Sequence, residues 1–404
     1  MTFRYGLAMR PAEIRLHALS LAALLVAPIA FQVPLGLAPL MAVTALILAV
    51  CWGVERRMPP VPLPLAAVLG LFALLATGSG LWALEPGQSA GRALRFLAES
   101  AAGLTLLASL YDAGDEGRRR VLGALAGGTG LTLVLVAIDV GGDGVLTRAL
   151  HGPQVWLTDT NRGASILALL VWPLGLWAWR RHCRAGLLLP LAVGLAVVLL
   201  RSDSARLAVF AGLLVFLAAR LFGPRLARLA MVALPALILA MPMVPLLLPA
   251  HDSLIASSLA SSIKISGLHR LAIWRFAGDH IVEKPLLGWG FEASRAMPGR
   301  DDRITLIPGQ PAVATALPLH PHNGALQIWL ELGAAGALLA ALFTGLALRP
   351  LAAPDLSATS RAAGLAAAAS AAVLAFMAFG LFQSWWVAGL WLSLSATAAA
   401  IRER

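Results

Sequence analysis

Residues 319–336 read LHPHNGALQIWLELGAAG, with His320 and His322 on either side of a proline and Asn323 at the head of an apolar run. Imidazole changes charge near neutral pH, so it can take a proton from a hydroxyl as a general base. At 100° per residue, Leu326, Trp329, Gly333 and Gly336 lie within about 40° of His322, which would put the histidine and both glycines on one helix face. Glycines on one face let a neighbouring helix approach closely and would fix the imidazole in place. Pro321 suits a first helical turn, where its missing N–H costs nothing. The positive end of that helix favours a neutral imidazole and attracts phosphate oxygens. The competing reading is that both histidines merely cap a span at the membrane interface.

The elements that position these residues are membrane spans. The 404 residues are 59% hydrophobic and only 13% charged, with a mean hydropathy of +0.82. Apolar runs of about 18 residues or more, each able to cross a bilayer, recur from end to end. About twelve are expected: 17–32, 35–53, 61–82, 91–110, 120–140, 162–179, 185–200, 205–221, 228–248, 323–346, 362–382 and 386–401. The fold class is therefore an all-α polytopic bundle, residues 1–404 forming a single integral membrane domain.

Charge sets the orientation. With both termini cytoplasmic, the segments on that side hold 18 of the 31 basic residues, and the short loops opposite hold 6. Excess Lys and Arg in short loops marks the cytoplasmic side. The long connection at 249–322, between spans nine and ten, is then periplasmic. Loops of that length are functional or disordered as a rule, and this one carries a helical stretch at 266–284 and a turn-rich PLLGWGFEAS after it. On the helical stretch Arg270, Trp274, Ala277 and Ile281 share a face, while Arg275 and Asp279 form an i, i+4 pair.

The net charge of +11 is carried almost wholly by arginine. These arginines fall singly or in twos and threes between apolar runs, a pattern that excludes a nucleic-acid surface. Cys51 and Cys183 are expected as free thiols at span ends, and no metal-ligand spacing of the CxxC or HExxH kind occurs. The basic N-terminus followed by an apolar run is expected to be an uncleaved first span. AGGTG at 126–130 lies inside a span without a following lysine, so it is expected to serve helix packing rather than phosphate binding.

His322 and Asn323, nine intervening residues, Gly333, two residues and Gly336 resemble the H-[NSQ]-x9-G-x2-G signature of the O-antigen ligases, within the superfamily they share with O-antigen polymerases and protein O-oligosaccharyltransferases. HRLAIWRFAGDHIVEKPLLGWGFEAS at 269–294 is similar to the family segment in which an arginine precedes a tryptophan by four residues and a P-L-x-G-x-G turn follows. DTNRGAS at 159–165 and RSDSARLAVFAG at 201–212 resemble its other polar stretches. The resemblance implies a glycosyltransferase of the bacterial inner membrane. Its donor would be an undecaprenyl-diphosphate-linked O-antigen and its acceptor a sugar hydroxyl of the lipid A-core, at the periplasmic face, with neither metal nor cofactor.

By the same resemblance His322 is the base, and Arg206 and Arg270 hold the diphosphate. Guanidinium grips phosphate oxygens in a bidentate fork and stays charged, and one-step attack opposite the leaving group would invert the anomeric centre. Arg206 opens a span after RSDS, where an ionisable residue at bilayer depth is a functional candidate; Arg201, at the end of the preceding span, competes for that role. Arg162, His320, Asn323 and Trp274 are weaker candidate substrate contacts, and Gly333 and Gly336 are structural. A polymerase or a protein O-oligosaccharyltransferase would use the same donor. A lipid-linked glycan transporter is the alternative from another class, against which the placement of most carboxylates near span ends or in loops weighs.

Overall fold

The computed structural model describes residues 9–155, 160–182, 184–250, 253, 255 and 263–403. Cys183, His251, Arg4 and Arg404 lie outside the described residues. The chain begins with α1 (Pro11–Gln32), α2 (Leu37–Val54), α3 (Leu63–Gly78), α4 (Pro86–Asp112), α5 (Gly114–Gly141) and the short α6 (Val145–His151). It continues with α7 (Asn161–His182), α8 (Leu188–Leu199), α9 (Asp203–Phe222), α10 (Pro224–Ala240) and α11 (Met243–Leu247). The last helices are α12 (Ile265–Glu283), α13 (Gly324–Leu348), α14 (Ala358–Met377) and α15 (Ser384–Arg402).

Among the described residues, ten helices are long and apolar enough to cross a membrane: α1 to α5, α7, α9 and α13 to α15. Twelve spans were expected, and the remaining two fall on shorter helices. Residues 185–199 make one short apolar helix, and the expected 228–248 divides into α10 and α11 around Met241 and Pro242. Proline has no N–H to continue a helical ladder, so the run stops there. The all-α class stands, with one addition: β1 (Arg303–Ile304) and β2 (Ala314–Thr315) pair antiparallel within the long connection. The helix expected at 266–284 is α12, displaced by a single residue at each end.

Helix α7 runs through the middle of the bundle, buried without interruption from Gly163 to Leu174. Glycines set the closest approaches. A Cβ on Gly128 would stand 1.9 Å from the Leu24 carbonyl oxygen, so the AGGTG stretch seats α5 against α1. Large apolar side chains such as Leu46 of α2, Leu74 of α3 and Leu217 of α9 face outward, the arrangement that a lipid solvent requires. Cys51 is a free, buried thiol.

Residues assigned by charge to one side of the membrane gather at one end of the bundle. Arg15 is buried there between Glu55 and Asp112, 3.1 Å from the latter, with its guanidinium 4.0 Å from the Trp52 ring centroid. Nearby, Arg181 meets Glu403 at 2.8 Å and Arg402 lies 3.8 Å over the Tyr111 ring. The histidine pair occupies the other end.

Candidate active site

The framework of the site is a joint between two segments of distant sequence. Gly333 has φ 59° and ψ −158°, which breaks α13 into two helical pieces. At such a break the carbonyls of Leu330 and Glu331 lose the amides of Ala334 and Ala335, four residues on. The PLLGWG turn at 285–290 replaces them all. Trp289 N–H donates to Leu330 O (2.9 Å) and Gly290 N–H to Glu331 O (2.8 Å), while Ala334 N–H donates to Pro285 O (2.8 Å) and Ala335 N–H to Leu286 O (3.1 Å). A Cβ on Gly333 would lie 2.4 Å from the Leu286 carbonyl carbon, and one on Gly288 would lie 2.4 Å from that of Glu331. The glycines therefore admit a loop, not a neighbouring helix. A Cβ on Gly336 would meet Leu332 and Ile328 of its own helix.

The histidines stand outside the helix, which corrects the single helical face expected for His322, Gly333 and Gly336. Asn323 is the N-cap, its Oδ1 accepting from Leu326 N–H at 3.0 Å, and α13 begins only at Gly324. Pro321 accordingly precedes the helix. His322 takes a left-handed backbone, φ 54°, and its own amide donates back to His320 Nδ1 at 3.1 Å. The two rings are 4.3 Å apart. Trp274 Nε1–H donates to the Pro321 carbonyl at 3.1 Å, pinning the turn to α12.

One contact decides the chemistry of His322. Its Nδ1 lies 2.8 Å from the carbonyl oxygen of Ala378, at the end of α14. A carbonyl only accepts, so Nδ1 carries the proton and Nε2 is left with a free lone pair. Burial pushes the His322 pKa below its usual value; the bond to Ala378 opposes this, and the charges of Arg270 and His269 add to it. The ring is therefore neutral at neutral pH. His320 goes much further, down to about 3, through burial and then the neighbouring His322 and Arg295. It remains neutral throughout the physiological range, and its Nδ1 orients the backbone of His322.

The structure brings Arg206 and Arg270 near one aspartate, Asp203. Arg270 is half-buried on α12. Burial lowers its pKa, opposed by the charge of Asp203. Its own charge is felt at His322, so it lies within electrostatic reach of both His322 and Asp203. Among the described residues its guanidinium has no hydrogen-bond or ion-pair partner. Arg206, in the first turn of α9, is 3.5 Å from Asp203 and also donates to the Val198 carbonyl. Lys264 meets the same aspartate at 2.7 Å. Arg201 is exposed on the preceding turn. Arg162 stacks 5.4 Å from the Trp385 ring centroid, and the adjacent Asn161 accepts from Ser202, the N-cap of α9. The amide donors of Asn323 are unused among the described residues, for its Nδ2 is buried there without a partner. Arg275 pairs with Asp279 at 2.9 Å, as expected.

A buried polar hub beside the histidines was not foreseen from sequence. The Glu331 carboxylate, wholly buried, accepts from Glu292 N–H (2.8 Å), Ser294 hydroxyl (2.6 Å) and Gln327 Nε2–H (3.1 Å). Glu292 is in turn surrounded by Arg92 (3.2 Å), Arg95 (3.6 Å) and Arg295 (3.4 Å), which ties α4 to the 285–295 loop. The available signal was a charged residue in the middle of an apolar run, ELGAAG, which requires polar company.

Beneath the histidine turn a cavity of ≈ 450 Å³ opens among α3, α4, α13, α14 and α15. It starts at Gly324, Ala325 and Phe382 and reaches Pro350, Tyr111 and Arg402 at the opposite end of the bundle. Its walls are mostly Leu, Ala and Phe.

Comparison with known proteins follows the same segments. Residues 185–341 match the model of the O-antigen ligase family. A Rickettsia typhi protein named "Putative polysaccharide ligase" is 30% identical over 269 residues, 64% of this chain and 63% of that protein. Its namesake from Rickettsia felis is 29% identical over 269 residues, again 64% and 63% of the two chains. One from Rickettsia conorii is 27% identical over 286 residues, 69% and 66% of the two chains. The chain thus spans less than two thirds of the length of the first two relatives.

Proposed function

Taking as premise that the chain carries the O-antigen ligase family domain at 185–341, we propose that it transfers a glycan from undecaprenyl diphosphate to a sugar hydroxyl of the lipid A-core, at the periplasmic face of the bacterial inner membrane. The observation that carries the reading is the bond from His322 Nδ1–H to Ala378 O, which puts the proton on Nδ1 and leaves the Nε2 lone pair unprotonated in the neutral ring that burial favours. In the proposed step the acceptor hydroxyl gives its proton to Nε2, and its oxygen bonds to the anomeric carbon. The bond from that carbon to the diphosphate oxygen breaks, and its electron pair stays on the leaving diphosphate. The imidazolium then releases its proton to water.

Arg270, free of protein partners among the described residues, and Arg206 beside it receive the charge that develops on the leaving group. Electrostatic groups fixed in advance around a developing charge are worth several kcal/mol, about 3 per donor removed in other enzymes. A positioned base adds roughly 10²- to 10⁴-fold. Attack opposite the leaving group inverts the anomeric centre. The apolar cavity below the turn suits the polyprenyl tail, which keeps the diphosphate at the mouth beside His322.

The test is transfer from purified undecaprenyl-diphosphate-linked glycan to lipid A-core with EDTA present, comparing wild type with His322→Ala and Arg270→Ala. Product with wild type, lost in both folded variants, supports the proposal. Extension of the donor itself, or glycosylation of a protein, would overturn the acceptor. Movement of the lipid across vesicles without transfer would overturn the enzyme reading.

A further inference from the structure

We propose that Gln327 is a positioning residue that holds the Ala378 carbonyl in place for His322; the inference rests on His322 being the base. The 378–383 connection between α14 and α15 is the surface on which the histidine turn docks. Ala378 O receives His322 Nδ1–H. Two residues on, Gly380 lies against the His320 ring, where a Cβ would be 2.8 Å from His320 Cδ2. The connection has no regular ladder of its own at this point, so something else must hold it.

Gln327, 3% exposed on the first turns of α13, does so. Its Oε1 accepts from the Leu381 amide at 2.8 Å, three residues past Ala378. Its Nε2 donates to the Glu331 carboxylate at 3.1 Å. One end meets a donor and the other an acceptor, so only one orientation of the amide satisfies both, and the side chain is locked. Glu331 is in turn held by Glu292 N–H and the Ser294 hydroxyl of the 285–295 loop. The joint at Gly333 is thereby connected through Glu331, Gln327 and Leu381 to the carbonyl that selects the tautomer of His322. Outer partners of this kind orient a working imidazole and raise its basicity.

Removing the amide should loosen Ala378 and weaken its bond to Nδ1–H. That bond raises the His322 pKa, whereas burial, Arg270 and His269 lower it. The groups facing His322 are Arg270 and His269 from α12, His320 from its own turn and the Ala378 carbonyl. Glu331, Glu292 and Ser294 surround Gln327. All remain in the variants.

The experiment uses the full chain in detergent. Carbethoxylation of His322 by diethyl pyrocarbonate, mapped by mass spectrometry across pH, reads the neutral fraction of that imidazole without any substrate. In Gln327→Met, which keeps the length but neither polar end, the midpoint should fall by about one pH unit. The kcat should fall about 10-fold with KM nearly unchanged. Gln327→Asn withdraws the amide by one methylene and should shift the midpoint in the same direction; it decides the matter where Gln327→Met does not fold. A folded variant with the wild-type midpoint, or a rise in KM alone, overturns the inference. Because the midpoint needs no turnover, failure of the transfer assay in wild type would strike the functional reading and leave this measurement standing.

Discussion

Replacing Gly333 with alanine should take apart the joint that carries the site. The new methyl would lie 2.4 Å from the Leu286 carbonyl carbon and 2.5 Å from its oxygen, too close for any backbone. The φ of 59° with ψ −158° belongs to a region open essentially to glycine, and imposing it on alanine costs about 1–3 kcal/mol. Relief requires the 285–290 turn to withdraw, which strains or breaks the four backbone hydrogen bonds that cross the joint, at about 1 kcal/mol each. With all four bonds lost, these give about 5–7 kcal/mol. Gly288→Ala attacks the same joint from the other side, with its Cβ 2.4 Å from the Glu331 carbonyl carbon, and should cost a similar amount. Because either change alone displaces the turn, the double variant should cost little more than one, leaving a coupling beyond about 0.5 kcal/mol, the scatter expected for independent sites. The assay is thermal and denaturant unfolding in detergent, with Gly70→Ala as control, since a Cβ there meets nothing within 4 Å. Near-wild-type stability of Gly333→Ala, or full additivity in the double variant, would refute the reasoning.

Four further outcomes follow from the geometry. With His322 as the proposed base, the form that accepts a proton is the neutral one, and burial lowers its pKa, so log(kcat/KM) should hold as pH falls through about 6.5 and decline only below it; an acid limb above that value would contradict the lowered pKa. His320 folds neutral with a pKa of about 3, so below its unfolded value of about 6.5 the unfolded chain binds the extra proton and stability falls with pH. At pH 5 the loss should approach 2 kcal/mol, and His320→Gln should flatten the dependence of unfolding on pH between about 5 and 7. Arg270→Lys keeps the charge but loses the planar fork, so kcat/KM should drop at least about tenfold, whereas Arg201→Ala, exposed and off the cluster, should stay near wild type in the same assay. Trp274→Phe removes only the donor to Pro321 O and should lower stability by about 0.5–1.5 kcal/mol, measured by unfolding.

Much of this protein is legible in its sequence because the information is local. Of the twelve spans that hydropathy marked, ten form helices of membrane-crossing length among the described residues, since backbone groups in lipid must be satisfied within the segment. The helix at 265–283 and the Arg275–Asp279 pair follow from spacing of a few residues. The motif residues His322, Asn323, Gly333 and Gly336 were recognisable by type and interval, and Arg206 and Arg270 by type and their neighbouring residues.

What each of them does was decided by tertiary structure. The tautomer of His322 depends on a carbonyl 56 residues away, and the orienting part of His320 depends on a turn that brings its Nδ1 back to the His322 amide. Gly333 looks like a packing glycine on a helical wheel; it is a break, because a turn some 45 residues upstream supplies the missing hydrogen bonds. Helical spacing put Trp274 beside Arg270, yet its N–H is spent on Pro321. Arg206 and Arg201 differ little as residues in a polar turn, and only the fold shows that Arg206 lies 3.5 Å from Asp203, whose charge Arg270 also feels. Periodicity reports which face of an element is apolar. It carries no information about which distant donor or acceptor meets a polar group there, and that pairing gives the site its chemistry.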